Sequence, residues 1–109
     1  MRDDAQRLND ILEAIKRIEE KAKSGRKKFD SDETIQVWFV YHLQIIGEAV
    51  GKLSDQIKKS SPKIPWAKIR AMRNILVHDY FAIDKDEVWA VIEKDLKVLR
   101  PMIKALIDK

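Results

Sequence analysis

The sequence predicts an all-α fold, an up-and-down bundle of four main helices. Apolar residues recur at spacings of three and four along most of the chain, the period of one helix face. No convincing stretch alternates with period two, and no hairpin-turn pair separates apolar runs. Caps and breakers fall between the apolar stripes, where helices should start and stop.

The first helix is predicted from Asp4 to about Lys23, with Leu8, Ile11, Leu12, Ile15 and Ile18 on one stripe. Ser24-Gly25 ends it, and Lys21, Lys23, Arg26, Lys27 and Lys28 then read as a basic loop. Such a loop is either a solvated connector or a phosphate-facing patch. Asp30, three before Glu33, has capping-box spacing and is expected to open a second helix running to about Lys59. Its first half is apolar nearly all round, from Ile35 through Ile46, which suggests a second covered surface such as a homodimer contact. Gly47 and Gly51 lie one turn apart, and each costs about 1 kcal/mol of helix propensity relative to alanine. Close approach of another helix would explain them.

Ser60-Ser61-Pro62-Lys63-Ile64-Pro65 is a turn, and Pro65 suits the first position of a third helix, expected from about Trp66 through residues 73–81. Asp84 with Glu87 repeats the cap and starts the last helix. Val88, Ile92, Leu96, Leu99, Ile103 and Leu106 form its seam, and Pro101 is expected to bend or break it near Leu99.

The 109 residues suit one unit, residues 1–109, able to bury roughly 65% of its unfolded surface. With no cysteine there is no disulfide framework and no thiolate metal site, which fits a cytoplasmic setting. No apolar run approaches the ~20 residues of a membrane span, and with no apolar stretch behind Met1-Arg2-Asp3-Asp4 a signal peptide is not expected. The net charge of +4 mildly favours a polyanionic partner.

Chemistry concentrates in Arg73-Asn74-Ile75-Leu76-Val77-His78-Asp79-Tyr80. A histidine exchanges protons near neutral pH, and an arginine fork matches phosphate. Together they suit metal-free RNA cleavage, with His78 taking the ribose 2′-hydroxyl proton and Arg73 stabilising the phosphorane. On a regular helix the two lie about 140° and about 7.5 Å apart, so arginine would have to reach round. A second histidine would come from a two-fold partner. The plainer reading is that His78 caps a helix end while Arg73 pairs with an acid such as Glu48. Metal ligation is weakly supported, because no His-x3-His, Glu-x-x-His or carboxylate cluster occurs. There is no Gly-x-Ser-x-Gly elbow and no glycine-rich phosphate loop. Trp38, Trp66 and Trp89 read as core or interface rather than as stacking platforms.

Arg73-Asn74-x3-His78-x-Tyr80 resembles the Arg-x4-His-x-Tyr motif of the HepT-like toxins in the HEPN superfamily. Leu43-Gln44-Ile45-Ile46-Gly47-Glu48-Ala49, Ile64-Pro65-Trp66, Tyr80-Phe81-x-Ile83-Asp84 and Val88-Trp89 resemble that family's flanking blocks in the same order. Gln44 departs from the acid often found there. The resemblance implies an all-helical, dimeric, metal-independent endoribonuclease toxin with no cofactor. Arg73 and His78 would be catalytic, with Asn74 supporting them and Glu48 and Asp79 as further supporting candidates. RNA, with transfer RNA one candidate, would be the substrate, and Lys27, Lys28 and Arg70 are additional RNA-binding candidates. The implied antitoxin is a minimal (MNT-type) nucleotidyltransferase that transfers AMP to Tyr80, adding charge that repels RNA. The alternatives are a non-catalytic helical subunit that binds a nucleotidyltransferase or a nucleotide, and a plain helical oligomer.

Overall fold

The computed structural model describes residues 3–78 and 84–109, with backbone alone for Met72 and residues 74–78. Helix α1 (Asp4–Ala22) opens with a full capping box. The Asp3 carboxylate accepts the Gln6 N–H at 2.9 Å, and the Gln6 side-chain oxygen accepts the Asp3 N–H at 3.3 Å. All five residues of the expected stripe are buried, and Ala14 joins them. The helix stops where expected, because Gly25 takes a φ of 91°, a conformation that glycine adopts without a Cβ penalty.

The expected basic loop is instead mostly a short helix, α2 (Arg26–Ser31). Phe29 decides this. It is fully buried, with its ring 5.2 Å from Phe39 and 5.4 Å from Trp89. Burying it folds the turn down onto the bundle. Buried Gln36 holds it there by donating to the carbonyls of Phe29 (2.9 Å) and Asp30 (3.3 Å). Asp30 is therefore not the cap of the next helix; it pairs with Arg26 at 2.8 Å. The cap is Asp32, which accepts from the N–H groups of Thr34 and Ile35 and opens α3 (Glu33–Lys52).

Helix α3 ends earlier than expected. Leu53 turns extended (ψ 147°) so that its side chain reaches the core, where it is buried. Ser54 then caps a second short helix, α4 (Asp55–Ser60), accepting from the Ile57 N–H at 3.2 Å. The single helix expected over Asp30–Lys59 is thus divided between α2, α3 and α4. Sequence periodicity missed both breaks because each breaker acts by burial or by a tertiary hydrogen bond.

Helix α5 (Trp66–His78) begins beside Pro65, whose carbonyl accepts the Ile69 N–H at 3.1 Å. The last helix is continuous from α6 (Lys85–Ala90) through a π-helical turn (Val91–Asp95) to α7 (Leu96–Ile107). Asp84 caps it as expected, accepting from the Glu87 N–H at 3.0 Å. All six seam residues, Val88 through Leu106, are buried. Pro101 neither ends nor breaks α7. It sits on the exposed side, where the Lys97 carbonyl that it leaves without a donor can be hydrated. The irregularity falls upstream, in the π turn.

Cross-contacts fix the order as up and down. Asp4 meets Ser54 while Trp38 meets Arg17, so α1 and α3 are antiparallel. Gly51 meets Arg70 while Gly47 meets Arg73, so α5 returns along α3. Among the described residues the bundle is all-α, with four long helical stretches joined by the two short helices that the sequence reading did not foresee.

Candidate functional site

Helix α3 offers α5 a smooth strip at its two glycines. A Cβ on Gly47 would lie 2.8 Å from the Cβ of Arg73 and 3.5 Å from the Arg70 carbonyl. The root of Arg73 therefore lies where any other side chain at position 47 would stand. Gly51 performs a similar service one turn on, where a Cβ would meet the Nε of Arg70 at 3.2 Å. The close helix approach expected from this pair is what the structure contains.

The guanidinium of Arg73 emerges beside Glu48, the residue following its seat. Its Nη2 lies 3.5 Å from Glu48 Oε1, and the two side chains are 48% and 52% exposed. The carboxylate suggested from sequence as a partner is thus the partner found, but the pair is open to solvent, not internal. Arg70 is exposed and makes no ion pair among the described residues.

Glu48 also belongs to an outward ridge. Val37, Tyr41, Gln44 and Glu48 are spaced four, three and four along α3 and so share one side. Val37 and Tyr41 are 54% and 58% exposed, unusually open for large apolar groups. The signal was in the sequence, in the all-round apolar first half of this helix.

Other expected residues lie elsewhere. Lys27 and Lys28 are exposed on α2, and Lys28 Nζ is 3.9 Å from Asp32. Their helix packs at Gln36, roughly 16 Å of helix rise from Gly47, so they do not join Arg73 and Arg70. His42 is buried, with Nδ1 2.7 Å from the Trp38 carbonyl and its ring between Trp38 and Tyr41. The side chains of Asn74 and His78, and all of Asp79 and Tyr80, lie outside the described residues. The three tryptophans are partly buried against the core, as expected. Among the described residues no three His, Cys, Asp or Glu side chains group as metal ligands, and no helix is long and apolar enough to cross a membrane.

Comparison with known families matches residues 11–106 to the model described as "Ribonuclease HepT-like", a span that includes the whole motif and both glycines. The chain belongs to the HepT-like ribonuclease family. It is 34% identical over 100 residues to "Probable ribonuclease HepT" of Thermococcus cleftensis, covering 91% of each chain. It is 32% identical over 103 residues to "Putative RNase TTE0752" of Caldanaerobacter subterraneus subsp. tengcongensis, covering 94% of this chain and 92% of that one. A third relative, "Gamma-glutamylcyclotransferase and putative RNase MJ0434" of Methanocaldococcus jannaschii, is 33% identical over 103 residues. This chain spans 94% of its own length there but only 46% of that protein's. No solved structure matches the chain.

Proposed function

We propose that residues 1–109 form one HEPN-like unit acting as a metal-independent endoribonuclease, the toxin of a toxin–antitoxin pair in the cytoplasm. The observation that carries this reading is Arg73. In a chain of a ribonuclease family it is fixed at its root by Gly47, yet its guanidinium is half open to solvent.

In this mechanism His78 removes the proton from a ribose 2′-hydroxyl, and the oxygen attacks the adjacent phosphorus. Arg73 stabilises the charge on the phosphorane oxygens, with Asn74 and Asp79 orienting the pair. The 5′-oxygen leaves with a proton from a second His78, leaving a 2′,3′-cyclic phosphate and a 5′-hydroxyl end. That second histidine comes from a partner copy in a homodimer, a demand supported by the open apolar residues Val37 and Tyr41 on the side of α3 that carries Glu48 further along. Arg70 extends the phosphate track, and Lys27 and Lys28 attract RNA at longer range. A nucleotidyltransferase antitoxin silences the site by adding AMP to Tyr80.

The deciding experiment is RNA cleavage in EDTA by the wild type, Arg73→Ala and His78→Ala. The wild type should cut, leaving 2′,3′-cyclic ends, and each variant should lose at least about a hundredfold in rate. A His78→Ala protein that cuts as fast as the wild type would overturn the catalytic assignment.

A further inference from the structure

We infer that Glu48 is a resident stand-in for the substrate's phosphate: it holds the guanidinium of Arg73 in the free protein and is displaced when RNA binds. The inference rests on the ribonuclease reading and adds a role for Glu48.

Three observations support it. First, Gly47 brings the Arg73 root against α3, so its guanidinium emerges along the ridge where Glu48 is the next residue. Second, the pair is loose. At 3.5 Å its Nη2–Oε1 separation exceeds the 2.7–2.9 Å of a strong charge-assisted hydrogen bond, and both partners are about half exposed. An exposed pair of this kind contributes little to stability and exchanges readily. Third, a carboxylate and a phosphate compete for the same edge of the guanidinium, and a phosphate can take that edge with two hydrogen bonds where Glu48 holds it through one contact of 3.5 Å. A nearby cation, Arg70, makes no ion pair among the described residues and lies on α5 one turn back. The set therefore offers one masked and one unmasked positive charge until RNA arrives.

The consequence is a threshold for binding. A ligand must outcompete Glu48 for Arg73, which a phosphate flanked by a second phosphate on Arg70 can do and an isolated anion does poorly. The freed carboxylate is left among phosphates and takes up a cation, which lowers the net release of salt ions on binding.

The test is a double-mutant cycle with Glu48→Gln and Arg73→Ala, read as affinity for a mixed-sequence, fully 2′-O-methylated RNA that cannot be cut. Glu48→Gln keeps the shape and removes the competitor. It should tighten binding by about two- to fivefold and steepen the dependence of log affinity on log salt by about 0.7. In the Arg73→Ala background the same substitution should do neither. Equal tightening in both backgrounds would show simple removal of negative charge and overturn the inference, as would no tightening in either. At limiting substrate, cleavage of ordinary RNA by Glu48→Gln should rise by the same roughly two- to fivefold as its affinity; loss of cleavage would place Glu48 in proton transfer and overturn the inference. If the wild type neither binds nor cuts RNA, the ribonuclease reading itself fails. If the wild type cuts RNA while the cycle shows no coupling, only the role of Glu48 is wrong.

Discussion

Arg73 owes its position to an absence, the missing side chain at residue 47. The two glycines of α3 look alike in sequence, but their neighbours differ in stiffness. At Gly47 a new methyl group would meet the Cβ of Arg73, which cannot move without its backbone. At Gly51 it would meet only the far part of the Arg70 side chain, which can swing aside. Alanine should therefore act in opposite directions at the two sites. Gly51→Ala should stabilise the protein by up to about 1 kcal/mol through helix propensity alone. Gly47→Ala should cost on the order of 1 kcal/mol net, because overpacking outweighs the same propensity gain. Urea-unfolding midpoints read both, and a stabilised Gly47→Ala would mean that α5 does not press on α3 there. RNA cleavage should fall in Gly47→Ala and survive in Gly51→Ala.

At the level of elements, the long helices were legible because their apolar stripes repeat at helical spacing. Both the α1 stripe and the seam of the last helix are buried residue for residue. The boundaries of α3 were not legible, since Asp30 and Asp32 both look like caps and only burial of Phe29 selects between them. Nor could a sequence reveal that Ser54 caps α4 while bound to a residue fifty positions earlier. The Asp4 carboxylate accepts the Ser54 N–H at 2.9 Å and its hydroxyl at 2.5 Å, and these bonds hold the Asp4 pKa below the ordinary carboxylate value. A depressed carboxylate stabilises the fold at neutral pH. That contribution fades once the pH falls below about 4, where the unfolded chain takes up the proton first. Asp4→Asn should therefore lower thermal stability at pH 7 and leave progressively less difference as the pH is lowered through the acid range. A stability gap that does not narrow in acid would argue that the contact is steric, not ionic. For the candidate site, sequence gave the residue types and the Glu48 partner, while the arrangement of Arg70 and Arg73 on the glycine strip needed the fold.

Across the whole molecule, the open ridge of α3 is the surface that the proposed dimer must cover. Tyr41→Lys places a charge at its middle, on a side chain already 58% exposed, so the monomer should fold unchanged. Sedimentation should then show the wild type dimerising with concentration and the variant remaining monomeric. A variant that still dimerises would move the contact to another face. The last helix sets a different constraint. Its buried seam takes two successive steps of four, from Val88 to Ile92 to Leu96, and each step outruns a regular helical turn by about 40°. The wider turn at Val91–Asp95 absorbs that surplus, so that Trp89 can meet Phe29 while Leu99 and Ile103 still face the core. The number of residues in this stretch is therefore as much a part of the fold as their identities. A homologue or a designed variant could exchange the outward side chains Lys94 and Lys97 freely, and one residue fewer would let a regular α turn replace the wider one, but one residue more would swing one half of the helix about 100° relative to the other.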